Sequence, residues 1–171
     1  MTLLELVIAS SMMALVMTTV MVVLRTGRQA WDAHEGDYVL VESAHATLRH
    51  IVRQIRQAEA VADIDEVDTI SSQLTLQMPA EDPDPVTCVW LHQHGNEEVA
   101  YDRYVGAVGT PTDLLSPGIT DVTFTGLEAN GLTATADETK MQCVRVDVVI
   151  ELPRTPKLRR TISSHAWIRS W

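Results

Sequence analysis

The sequence predicts an α+β protein, a long N-terminal helix packed on an antiparallel β-sheet head, from three observations. The chain opens with an apolar run long enough to form several helical turns. A stretch with steps of three and four between apolar residues follows, the spacing of a one-faced helix. From residue 73 onward the period changes to two, the spacing of strands. The predicted strands are short and close together, which leaves no room for the crossover helices of a parallel sheet.

The first element covers residues 1–25, "MTLLELVIASSMMALVMTTVMVVLR". Nineteen uncharged residues, Leu6 to Leu24, separate Glu5 from Arg25. At about 1.5 Å per residue that run spans roughly 28 Å, close to the hydrocarbon thickness of a bilayer. It can therefore cross a membrane. A cleaved secretory signal is a poor fit, because such signals start with a basic segment and carry a shorter apolar core and a small-residue cleavage site. Here an acid stands near the start, and no A-x-A site follows. Arg25 and Arg28 alone would hold the following end in the cytoplasm, unless a basic leader preceded residue 1.

Residues 26–62 form the second element. Val41, Ala44, Leu48, Ile51, Val52, Ile55, Ala58 and Ala62 define one apolar face, with Glu42, Arg49, Arg53, Arg56 and Gln57 opposite. One helix from residue 2 to about residue 60 is expected, with Gly27 and Gly36 as candidate bends, since glycine weakens a helix by about 1 kcal/mol. Its first half is apolar all round and its second half amphipathic, as suits a helix that leaves a membrane and then packs on a domain. Arg49, Arg53 and Arg56 form a basic stripe, either a solvated face or a docking surface for an acidic neighbouring subunit.

Residues 63–171 form the head. "DIDEVD" (63–68) reads as an acidic loop. The stretches "QLTLQM" (73–78), "VTCVWLHQH" (86–94), "EVAYDRY" (98–104), "ITDVTFTG" (119–126), "CVRVDVVIEL" (143–152) and "RRTISSHAWIR" (159–169) read as strands separated by Pro, Gly and Asp. In 143–152, Arg145, Asp147 and Glu151 interrupt the apolar positions, as expected of a sheet with one wet face and one face on the helix.

Net charge is −10 and is uneven: residues 61–140 carry fifteen acids against Arg103 and Lys140. Phosphate binding needs concentrated Lys and Arg, so nucleic acid is not expected as a partner.

"TLLELVIA", Thr2 to Ala9, resembles the mature N-terminus of type IV pilins and type II secretion pseudopilins. In that family a prepilin peptidase cuts after the glycine of a short basic leader and methylates the new amine, usually on phenylalanine. A glutamate stands at mature position five. Glu5 matches that glutamate in spacing and neighbours; Met1 stands where phenylalanine is usual. The resemblance implies processing and methylation at Met1, and assembly through Thr2, Leu3, Leu4, Glu5 and Leu6. Weaker likenesses in "LRHIVRQIRQA" (48–58), "LLSPGITDVTF" (114–124) and "WIRSW" point to the J-type minor pseudopilin; W-type minor pilins share similar features.

An acid in a bilayer costs about 2.5–3.5 kcal/mol at the centre, less near the edge. The helix dipole returns only about 0.3–1 kcal/mol. An opposite charge at 4 Å and an effective dielectric near 20 returns about 4 kcal/mol. The resemblance implies that this charge is the N-terminal amine of a neighbouring subunit.

The resemblance also places the head outside the cytoplasm, where disulfides form. Cys88 and Cys143 are then either a bridge, contributing roughly 4 kcal/mol by closing a loop of about 55 residues, or two buried thiols. His92 and His94 form an H-x-H pair, but no third ligand stands at a telling spacing, so exposed strand histidines and no metal are expected. The acids of 63–68 and "EDPDP" (81–85) lack the spacing and glycine of a calcium loop. No nucleophile elbow and no phosphate-cradling loop is present, and neither an enzymatic role nor a cofactor is expected.

The expected function is that of a minor pseudopilin: a single-pass inner-membrane protein with its head outside the cytoplasm, assembling with other minor and major pseudopilins into a short filament that supports protein export. The alternatives are a minor pilin of a type IV pilus and a membrane-tethered binding domain.

Overall fold

A computed structural model describes residues 2–65, 71–82, 84–94, 97–152 and 157–169. One helix, α1, runs from Leu3 to Gln57 without interruption at Gly27 or Gly36. Among the described residues eight strands follow: β1 (Ala60–Asp65), β2 (Ser71–Asp82), β3 (Asp84–Gln93), β4 (Glu98–Val105), β5 (Asp113–Pro117), β6 (Asp121–Leu127), β7 (Cys143–Leu152) and β8 (Leu158–Trp167). All pairings are antiparallel, so the α+β class read from the sequence is the one observed. Two compact units divide the chain, residues 1–38 and 39–171.

Within residues 39–171 the strands form two sheets, ordered β1-β2-β3-β4-β5 and β6-β7-β8. The helix face Ala44, Leu48, Ile51 and Ile55 is buried in one core with Leu74, Leu76 and Trp90 of the larger sheet and Val146, Val148 and Ile150 of the smaller. Branched apolar side chains one helical turn apart meet the pleated sheet surface here, and this burial is the main source of the head's stability. His50 places its ring 5.3 Å from that of Trp90 and 5.4 Å from that of Tyr101, both edge-on, and so ties α1 to β3 and β4. In β7, Val144, Val146, Val148 and Ile150 are buried while Arg145 is exposed and Asp147 and Glu151 are half-buried, the alternation expected.

Four expectations need correction. Helix α1 ends at Gln57 rather than near residue 60, and Ala62 is an exposed strand residue instead of part of the helix face. Residues 63–65 of the expected acidic loop belong to β1, whose alternation is broken by a register shift between Val61 and Asp63; residues 66–68 lie outside the described residues. Strand β5 was not foreseen, because a five-residue edge strand ending in Pro117 and paired only with β4 leaves little periodic signal. Finally, there are two sheets where the periodicity gave no sign of more than one.

Gly126 on β6 is required by close packing. A Cβ there would overlap the Met141 side chain and stand 2.9 Å from the Thr135 carbonyl oxygen.

Candidate functional site

The apolar half of α1 has no buried side chain: Leu3, Leu4, Leu6 and the apolar residues that follow to Leu24 are exposed all round. It is the one helix long and apolar enough to cross a membrane among the described residues. Its hydroxyls are satisfied locally. Ser10 and Ser11 donate to the carbonyls of Val7 and Ile8, at 3.0 and 2.8 Å. Thr18, Thr19 and Thr26 donate to the carbonyls of Ala14, Leu15 and Val22, at 2.9, 2.8 and 2.8 Å. The segment therefore presents hydrocarbon with few open polar groups, as an apolar environment demands.

Glu5 lies in the first turn of α1, where its Oε2 accepts the backbone N–H of Thr2 at 2.9 Å. Thr2-x-x-Glu5 thus supplies one arm of a capping box, and the acid satisfies an otherwise orphan donor beside the positive end of the helix dipole. Thr2, Leu3, Leu4 and Leu6 surround it on the exposed first turn. Met1 lies outside the described residues.

The basic stripe lines a groove of about 670 Å³ between α1 and β8, with Arg49, Arg53, Arg56, Trp167 and Arg169 on its walls. Arg49 donates from Nε to its own helix's His45 carbonyl at 3.2 Å. Arg53 and Arg56 are exposed and have no carboxylate partner among the described residues. Arg53 and burial together hold the His50 imidazole below its usual pKa, burial being the larger cause. The contribution of Trp167 and Arg169 to the groove was not read from the sequence; they arrive from β8 and the residues just after it, over 100 positions beyond the arginine stripe.

Cys88 and Cys143 do not form the bridge considered from the sequence: both are buried free thiols. They sit in different sheets, Cys88 on β3 and Cys143 on β7, and each is held by its own ladder. The Cys88 sulfur lies 3.5 Å from the Tyr101 hydroxyl. Burial pushes both thiols above the usual thiol range and pushes Tyr101 up as well. Buried thiols kept protonated are poor nucleophiles, so neither is set up for catalysis.

The histidine pair also departs from expectation. His92 is fully buried, because β3 is the central strand of its sheet and the smaller sheet covers one of its faces. Its register partners are Ser72 and Val99, and the Ser72 hydroxyl donates to the Val122 carbonyl on β6. His92 Nδ1 lies 2.9 Å from the Glu98 carbonyl oxygen, and Nε2 lies 3.3 Å from that of Thr120. His94 Nδ1 is 2.8 Å from Asp121 Oδ1. The third polar group missing from the local sequence is Asp121, which β6 brings in from the other sheet.

No family model matches the chain, and no curated protein matches it. Among solved structures the chain is similar to a type IV-like pilin from Thermus thermophilus, with a TM-score of 0.57 over 75% of this chain and 96% of that one, at 9% identity. At that identity the likeness is one of fold: a long N-terminal helix carried into an antiparallel head.

Proposed function

We propose that this chain is a filament subunit of the pilin and pseudopilin class, and within that class a minor pseudopilin of a type II secretion system, most like the J-type. The observation that carries the reading is the apolar half of α1, bare of packing partners and bearing Glu5 in its first turn, on a chain with a type IV pilin-like fold. The seventeen exposed apolar residues between Leu3 and Leu24 need a second hydrophobic body, and a bilayer before assembly and neighbouring helices after it both supply one.

The mechanism is assembly rather than turnover. A prepilin peptidase removes a leader and methylates the amine at Met1. The apolar half of α1 anchors the chain in the inner membrane with its head outside the cytoplasm. Thr2, Leu3, Leu4 and Leu6 then pack among other subunits' helices while Glu5 pairs with a neighbour's N-terminal amine. The head engages other minor pseudopilins, with the arginines of the α1–β8 groove as the surface suited to an acidic partner.

Mass spectrometry of the native N-terminus, from cells with and without the prepilin peptidase, tests this reading. A peptidase-dependent loss of a leader with a gain of one methyl group, and copurification with other pseudopilins, is expected. An unprocessed chain that never copurifies with filament components overturns it.

A further inference from the structure

His92, His94 and Asp121 converge where the two sheets meet, and their ligating atoms lie within 4.8 Å of one another. We propose that these three side chains form a transition-metal site, suited to zinc, that staples the larger sheet to the smaller one.

A neutral imidazole carries one N–H. On His92, Nδ1 is the closer nitrogen to a carbonyl, 2.9 Å from Glu98, and is the natural donor. Its Nε2 is then turned toward the Thr120 carbonyl oxygen at 3.3 Å and Asp121 Oδ1 at 4.0 Å, two oxygen atoms that can share a bound cation with it. The arrangement is also how metal-bound histidines are commonly held, with the far nitrogen donating to a backbone carbonyl and fixing the ring.

Asp121 gives an independent indication. Its Oδ1 is inaccessible to solvent and makes no hydrogen bond among the described residues. His94 Nδ1 comes within 2.8 Å of it, but the two atoms do not meet with hydrogen-bond geometry. His94 in turn sets its ring edge-on to His92, with centroids 5.2 Å apart.

The spacings fit a small ion. Ligands bound at about 2.0–2.1 Å around a tetrahedral centre stand about 3.4 Å from one another. The separations from Asp121 Oδ1, 2.8 Å to His94 Nδ1 and 4.0 Å to His92 Nε2, bracket that figure, so small side-chain rotations complete the geometry. Two imidazoles and one carboxylate favour zinc over the hard cations, which prefer oxygen alone. The Thr120 carbonyl or a water supplies the fourth ligand.

The frame is rigid. Thr120 N–H donates to the Val149 carbonyl at 2.9 Å, and Gly118 and Ile119 N–H donate to the Glu97 carbonyl at 2.9 and 3.2 Å. The loop bearing Thr120 is thereby fastened to β7 and to the residue that leads into β4.

The test uses the full chain in detergent, titrated with zinc against a chromogenic chelator and followed by thermal unfolding. One equivalent is expected, with a melting temperature raised by about 5 °C or more at hundredfold excess over the dissociation constant. His94→Ala and Asp121→Asn should each weaken binding at least tenfold and abolish the thermal shift, while circular dichroism shows the fold intact. His94 is only partly buried, so its truncation leaves the core in place. Absence of stoichiometric binding overturns the proposal, and so does binding that both variants leave unchanged, since the remaining histidines and the two thiols would then be its source.

Discussion

Replacing Glu5 separates the helix cap seen in the first turn of α1 from the charge pair proposed for the same carboxylate. Its carboxylate accepts the Thr2 N–H at 2.9 Å and sits at the positive end of the helix dipole. These local terms are worth about 0.3–1 kcal/mol, at most a fivefold effect on any coupled equilibrium. Pairing with a neighbouring subunit's amine at 4 Å would be worth about 4 kcal/mol at an effective dielectric of 20, close to a thousandfold. Glu5→Gln divides the two, because a carboxamide oxygen still accepts from Thr2 but carries no charge. Glu5→Ala removes both. The assay is the fraction of subunit recovered in sheared or detergent-extracted filaments, with membrane insertion measured in parallel. Both variants should insert normally, and both should fall out of the filament to a similar, large extent. Glutamine incorporating like the native residue while alanine falls by a few-fold would refute the charge pair and leave Glu5 as a helix cap.

Three further outcomes follow from the head. Ile51 is fully buried against both sheets, so Ile51→Ala should cost about 2–5 kcal/mol in a denaturant titration, whereas exposed Arg53→Ala should stay within about 0.5 kcal/mol. Gly126→Ala drives a methyl group into Met141 and toward the Thr135 carbonyl, and should lower stability by about 1–3 kcal/mol, seen as a shift in the same titration. Lys157, foremost, and Arg159 hold the Glu151 carboxyl below its usual range. A depressed folded-state pKa contributes stability that is present above the unfolded value, about 4.3, and is lost as pH falls through the folded value. The stability gap between the native chain and Glu151→Gln should therefore close below about pH 4 and hold at neutral pH.

The long helix and the strands β2, β3, β4, β6, β7 and β8 were legible because their periodicity is local. What was hidden depends on the partner surface. His92 looks like any strand histidine until β3 is known to be central and capped by a second sheet. Asp121 carries no metal signal of its own, since it is 27 positions from His94 and joins it only when β6 crosses to the other sheet. The same holds for the groove, where the arginines follow helical spacing but Trp167 and Arg169 come from the far end of the chain. Cys88 and Cys143 were ambiguous for the opposite reason: placing both on strands says nothing about whether one sheet or two will hold them. Sequence spacing thus exposes elements well and encounters between elements poorly.

The inward-turned hydroxyls of Ser10, Ser11, Thr18, Thr19 and Thr26 bear on how such a helix changes surroundings. Lipid tails and leucine-rich neighbours are nearly equivalent solvents. In the assembly proposed above, a rod that ferries its own bonding along would cross from one to the other without uncovering thirsty groups midway. Such travel would be close to isoenergetic along its greasy length, leaving the direction of transfer to the rod's charged tip and its head.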